Sequence, residues 1–213
     1  MTDPSAPTLH HLTSSQSLKV LWALEETGKK FNLNLIQRNS QRDYPHLMDL
    51  HPRGKSPILV DNGCVIAESR LVLEHIKEHY SDGRWNKSGE EKIRDDYFAE
   101  FSTATIANPL YALMMAEFFN IKSEALTTFA ENELHLQYKL LDEALCQQPF
   151  FGGREIGISD FMMSWRFDFA TQRGYIDVEK YPSIKTWYQT IQSRDAYKEA
   201  LRKTGTYDLK GFT

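Results

Sequence analysis

The sequence predicts a compact α/β domain followed by an all-helical one, and three observations predict it. Short apolar strand patterns alternate with helical ones through the first eighty residues. A stretch rich in Ser, Gly and charge, Ser81 to Gly89, then interrupts the pattern as a linker. Beyond it the apolar residues recur at helical spacing. The expected domain ranges are 1–82 and 89–213. With 213 residues, 41% of them hydrophobic and 12% aromatic, the chain has ample material to bury a core.

Leu9 to Leu12 reads as the first strand. A helix follows, with Leu18, Leu21, Trp22 and Leu24 on its apolar face and Gly28 as its C-terminal stop. Asn32 to Ile36 is the second strand, and Tyr44-Pro45 opens a short helix because proline is tolerated in a first turn. Ile58–Val60 and Cys64–Ala67 flank Asp61-Asn62-Gly63, whose Asn-Gly pair accepts the positive φ of a tight hairpin. Ser69 starts a helix carrying Val72, Leu73, Ile76 and Tyr80. The predicted order is β-α-β-α-β-β-α.

In the second domain Tyr97, Phe98 and Phe101 sit at helical spacing, and Pro109 should kink that long helix. Leu134, Tyr138, Leu141 and Leu145 mark another helix face. Ile184, Trp187 and Ile191 mark a further one, started by Pro182. Trp22 and Trp187 are expected in the core.

Several classes are disfavoured. The net charge is −4 and no basic stretch carries interleaved aromatics, so nucleic acid is not an expected partner. No run of about 18 apolar residues predicts a membrane span. Met1 to Thr8 lacks a basic-then-apolar leader, and Cys64 and Cys146 are the only cysteines, so the expected compartment is the reducing cytoplasm. Both cysteines are expected to be inert, buried thiols. His10, His11, His75 and His79 form no metal-ligand pattern; they are expected to cap or cover structure, and no metal is expected.

Four segments carry a resemblance. His11-Leu12-Thr13-Ser14-Ser15-Gln16-Ser17-Leu18-Lys19-Val20-Leu21-Trp22 resembles the first strand, serine turn and first helix of the cytosolic glutathione transferases. His51-Pro52-Arg53-Gly54-Lys55-Ser56-Pro57 resembles their loop before the third strand. Glu68-Ser69-Arg70 resembles their acidic-serine step into the third helix, and Tyr181 to Trp187 their penultimate helix. The likeness is strongest to the serine-type, yeast-like microbial branch. It departs from the family at Gln16, where arginine is usual, at Lys19, where arginine is frequent, and at Gly157, where a Ser or Thr cap is usual; only Asp160 of that capping box is present.

The resemblance implies a thioredoxin-like first domain, a helical second domain, a homodimer, and glutathione as co-substrate. Glutathione needs an anchor for its γ-glutamyl end, a backbone clamp at its centre, a cation at its glycine end and a stabilised thiolate. Moving a thiol pKa of about 8.5 down by two units corresponds to roughly 2.7 kcal/mol. One hydrogen bond to the charged sulfur supplies about 1.5–3 kcal/mol, and a helix N-terminus up to about 2. Ser15 is therefore the candidate thiolate donor, with an ordinary N-cap as its bland alternative. Ser14 is its rival, and Thr13 is third in line.

By the same resemblance Ser56-Pro57 is a cis peptide whose backbone pairs with the cysteinyl unit as an added strand would. Glu68 meets the γ-glutamyl ammonium, and Ser69 with the helix N-terminus meets its carboxylate. Lys55 meets the glycine carboxylate, with Arg42 or Arg53 as substitutes. Tyr111, Met114, Met115 and Phe118 are candidates for an apolar electrophile in the cleft between the domains, or else for core and dimer contacts. Tyr207 and Phe212 are candidates to close over the site, and Asp95 or Asp96 to reach the partner's γ-glutamyl group. The implied activity is thiolate attack on an electrophilic carbon or a peroxide oxygen. A cysteine oxidoreductase would need a cysteine at the first helix start, where Thr13, Ser14 and Ser15 stand. A non-catalytic glutathione-binding or regulatory protein of the same fold is the remaining alternative.

Overall fold

The computed structural model describes residues 3–211, so Phe212 lies outside the described residues. Two compact units are present. Among the described residues, the first combines 3–85 with Ser193–Tyr207; the second holds Asn86–Gln192 and 208–211.

The first unit runs β1 (Thr8–Leu12), α1 (Leu18–Thr27), β2 (Asn32–Ile36), α2 (Pro45–Leu50), β3 (Ile58–Asp61), β4 (Cys64–Ala67) and α3 (Ser69–Tyr80). The sheet order is β2-β1-β3-β4, with β1 parallel to β2 and the other pairs antiparallel. This is the expected thioredoxin-like arrangement. Asn62 and Gly63 take φ of 49° and 79°, the two positive values that a two-residue hairpin turn demands. Asp61 ends β3 and accepts from Tyr80 Oη (2.8 Å) and pairs with His75 Nε2 (2.7 Å), pinning α3 to the sheet.

α1 buries Leu18, Val20, Leu21, Trp22, Ala23 and Leu24. One flank of it is covered by α9 (Asp195–Thr204), which returns from the far end of the chain. Tyr197 meets Trp22 edge to face at 5.3 Å, and Arg194 grips Glu26 through two hydrogen bonds.

The second unit contains α4 (Gly89–Glu100), α5 (Ala107–Phe118), α6 (Glu124–Gln147), α7 (Ile158–Arg173) and α8 (Pro182–Ser193). The disturbance expected of Pro109 falls earlier than the proline itself. Phe101–Thr105 form a π-helical turn, closed by Ile106 N donating to Phe101 O at 3.0 Å. Proline has no N–H for the carbonyl four residues back, at Thr105, so the ladder is relaid in the turn before it.

α7 is buried along most of its length, and its start lacks a capping side chain because Gly157 is the N-cap. Asp95 of α4 fills that place. Its carboxylate accepts from Ile158 N (3.2 Å), Ser159 N (2.9 Å) and Ser159 Oγ (2.6 Å). A Cβ on Gly157 would run into that carboxylate, which explains the missing Ser or Thr. Asp160 supplies the other half of the box by accepting from Gly157 N at 2.9 Å. It also accepts from Phe151 N, Gly152 N and Trp187 Nε1, yet burial still pushes its carboxyl up to about 6. Asp95 is thus 5% exposed and committed to α7, which corrects its expected reach to a partner's ligand; Asp96 lies at the surface beside Lys92.

Trp22 and Trp187 are in the core as expected, at 0% and 1% exposure. The cysteines are not: both are exposed. Cys64 lies on an edge strand, and Cys146 is exposed near the end of α6, one residue after the buried Leu145.

Candidate functional site

The sheet register decides what can meet in the first unit. β1 ends at Leu12, and its His10 pairs with Ile58 at the start of β3; Ile58 pairs in turn with Ala67 at the end of β4. The serine turn after β1, Ser56-Pro57 before β3 and Glu68-Ser69 after β4 therefore emerge at one end of one sheet. Three strands at about 4.8 Å spacing span about 10 Å, close to the reach of three extended residues.

Ser56 ties this end together, because its Oγ donates to His10 O (2.9 Å) and accepts from Leu12 N (3.1 Å). The Ser56-Pro57 peptide is cis, as the resemblance implies. Before it, Gly54 takes φ 54°, a backbone conformation that favours glycine, and a Cβ there would push aside the Met48 side chain of α2. Lys55 is exposed beside it. Arg53 reaches Glu68 at 3.3 Å, but both side chains are two-thirds exposed, so the pair is weak and readily opened. Glu68 holds φ 70° immediately before α3, and its carbonyl accepts from Val72 N. Non-glycine residues at positive φ are uncommon and concentrate at ligand clamps.

In the serine turn, Ser14 also has positive φ, 50°. Arg38 supports the turn by donating to Thr13 O and Ser14 O, while Arg38 N donates to Thr13 Oγ1. Ser14 Oγ donates to Thr206 O at 3.4 Å. The residue preceding α1 is Ser17, and Ser15 stands two positions earlier. Ser15 Oγ donates to Leu12 O (2.7 Å), accepts from Ser17 N (3.2 Å) and lies 3.0 Å from Ser17 Oγ. Behind it, Ser17 Oγ is 2.5 Å from His11 Nδ1, and His11 Nε2 is 2.6 Å from Thr204 Oγ1 of α9. Burial holds the His11 imidazole neutral, lowering its pKa to about 4. Gln16 and Lys19, the two departures from the family's arginines, bond to each other through Lys19 Nζ and Gln16 Oε1 at 3.2 Å.

The electrophile candidates lie together on α5 of the second unit. The Tyr111 hydroxyl accepts from Arg166 Nη1 at 3.0 Å, Met114 is half-buried, and Met115 and Phe118 are 43% and 40% exposed. Tyr207 ends the returning segment of the first unit and is half-buried. Sequence reasoning missed Arg38, Ser17 and the role of His11. For His11 a signal existed: an imidazole in a central strand two residues from Leu9 faces the same core and must find partners.

Residues 6–78 match the glutathione S-transferase N-terminal domain, and residues 103–195 match the C-terminal domain. Glutathione S-transferase 3 of Schizosaccharomyces pombe is 31% identical, over 96% of this chain and 90% of its own length. The chain belongs to the glutathione S-transferase family. The transferase fold is matched by a crystal structure of a glutathione S-transferase from Actinobacillus pleuropneumoniae, at TM-score 0.84 and 23% identity, covering 97% of each chain. A glutathione transferase of Phanerochaete chrysosporium, described in complex with oxidized glutathione, matches at TM-score 0.80 and 18% identity over 94% of this chain and 97% of its own. No helix of the transferase among the described residues is long and apolar enough to cross a membrane, and those residues hold no group of three or more His, Cys, Asp or Glu able to take a metal.

Proposed function

We propose that the transferase binds glutathione across the end of its sheet, from the serine turn to α3, and passes the thiolate to an apolar electrophile or a peroxide oxygen. The observation that carries this reading is the convergence of Ser15, Ser56-Pro57 and Glu68-Ser69 at one sheet end, set by the His10–Ile58–Ala67 register. Ser15 Oγ donates to the sulfur. The Ser56 backbone pairs with the cysteinyl unit, Glu68 and Ser69 hold the γ-glutamyl end, and Lys55 meets the glycine carboxylate. Tyr111 and Met115 contact the electrophile. The transferase acts as a homodimer in the cytoplasm.

One observation favours a second reading, a protein that binds glutathione without activating it: the Ser15 proton is already engaged by Leu12 O. Titrating the thiolate absorbance of bound glutathione against pH separates the two. The thiol pKa is expected about two units below that of the free thiol, and Ser15→Ala raises it by about one unit or more while Ser14→Ala leaves it in place. Saturable binding with an ordinary thiol pKa decides for the second reading.

A further inference from the structure

The Ser15 hydroxyl has one proton, and Leu12 O holds it at 2.7 Å. Turning that proton toward a sulfur strips Leu12 O of a donor unless another hydroxyl replaces it. The replacement is in place: Ser17 Oγ lies 3.3 Å from the same carbonyl. Whether Ser17 can serve depends on His11, whose Nδ1 is its close neighbour at 2.5 Å.

A neutral imidazole donates from one nitrogen and accepts at the other. With the proton on Nε2, His11 donates to Thr204 Oγ1, and Nδ1 can only accept. The Ser17 proton is then spent on Nδ1, and Ser15 must stay on Leu12 O. With the proton on Nδ1, His11 donates to Ser17 Oγ, and Nε2 accepts from the Thr204 hydroxyl at 2.6 Å. The Ser17 proton is then available for Leu12 O, and Ser15 is released. Each arrangement holds the same four protons, one on each hydroxyl and one on the ring, so no proton leaves or enters the group.

We infer that His11 is a positioning residue for the thiolate: protonated on Nδ1, it fixes Ser17 as the donor to Leu12 O and so directs the Ser15 hydroxyl to the glutathione sulfur. The chain of contacts runs from α9 through β1 to the start of α1, and His11, Ser17 and Thr204 are all but sealed from solvent, at 0% exposure each. Nothing in the packing alone requires a hydrogen-bonded imidazole here, since Leu9 fills the equivalent position two residues earlier on the same strand. A leucine at 11 would pack, but it would leave Ser17 uncommitted.

The inference rests on the glutathione reading above, and the test tells the two apart. The thiol pKa of bound glutathione is measured for wild type, His11→Leu, His11→Asn and Ser17→Ala, alongside kcat and KM for glutathione with chlorodinitrobenzene. In His11→Leu the bound thiol pKa is expected to rise by about one unit, a tenfold loss of thiolate at a fixed pH below it, with KM nearly unchanged. Ser17→Ala behaves alike, and His11→Asn, whose amide can donate to Ser17, restores most of the shift. A wild-type thiol pKa that is lowered, with folded His11→Leu and Ser17→Ala lowering it equally, overturns the inference and leaves the glutathione reading standing. An ordinary thiol pKa in wild type overturns both. Imidazole nitrogen NMR of the wild-type complex needs no variant to fold: a protonated Nδ1 on His11 is expected, and a protonated Nε2 overturns the assignment.

Discussion

His11 gives the clearest consequence at the scale of one residue. Its folded pKa is lowered to about 4 from an ordinary 6.5, first by burial. Between those values the unfolded chain binds a proton that the fold refuses. The stability it protects is therefore fully present above pH 6.5 and is lost as pH falls to 4, by on the order of 3 kcal/mol. His10, also lowered by burial and by its neighbour His46, acts in the same direction. Asp160 acts in the opposite direction: its raised value of about 6 penalises the fold as pH rises and the carboxyl ionises. Comparing wild type with His11→Asn removes these shared contributions. Chemical unfolding from pH 4.5 to 7 is expected to show a shallower acid decline in the variant, and parallel curves would contradict the assignment.

Among the elements, α7 depends on a residue outside itself. Asp95 of α4 meets two N–H groups of its first turn and the Ser159 hydroxyl. Asp95→Ala leaves those donors buried and unmatched, at about 1–3 kcal/mol in all for a lost cap. Thermal unfolding should show a clear drop in midpoint, while Asp96→Ala, on the same helix but toward solvent, changes it little. This cap also marks where sequence reading stops. The hairpin at Asn62-Gly63, the start of α2 at Pro45 and the face of α1 are local chemistry, and each was legible because turn geometry and helical period are written in adjacent residues. Gly157 was legible only as a missing cap. Its replacement comes from Asp95, 62 residues earlier, and no local pattern connects them. The π-turn at Phe101–Thr105 was displaced from the expected kink at Pro109 because the carbonyl affected by a proline lies four residues before it. The site divides in the same way. Ser15, Ser56-Pro57 and Glu68-Ser69 stood out by resemblance, whereas the His11–Thr204 contact joins residues 193 positions apart.

For the molecule as a whole, the first unit is built from both ends of the chain. α9 shields Trp22, and Tyr197 is the side chain that closes over it. Tyr197→Ala is expected to cost about 3 kcal/mol, within the range for removing a large buried aromatic. The measurement is the urea midpoint. A midpoint shift worth well under about 1 kcal/mol of unfolding free energy would mean that α9 is only loosely applied to α1. The return of α9 also has a consequence for biosynthesis. When residue 85 leaves the ribosome, every strand of the sheet has been made, but Thr204 has not. At about 5–20 residues per second, it leaves the ribosome some 6–24 s later. Through that interval the nascent sheet carries an uncovered Trp22 and a His11 without its outer partner, so the period in which chaperones would engage this chain is set by the length of the segment inserted between the two halves of its first unit.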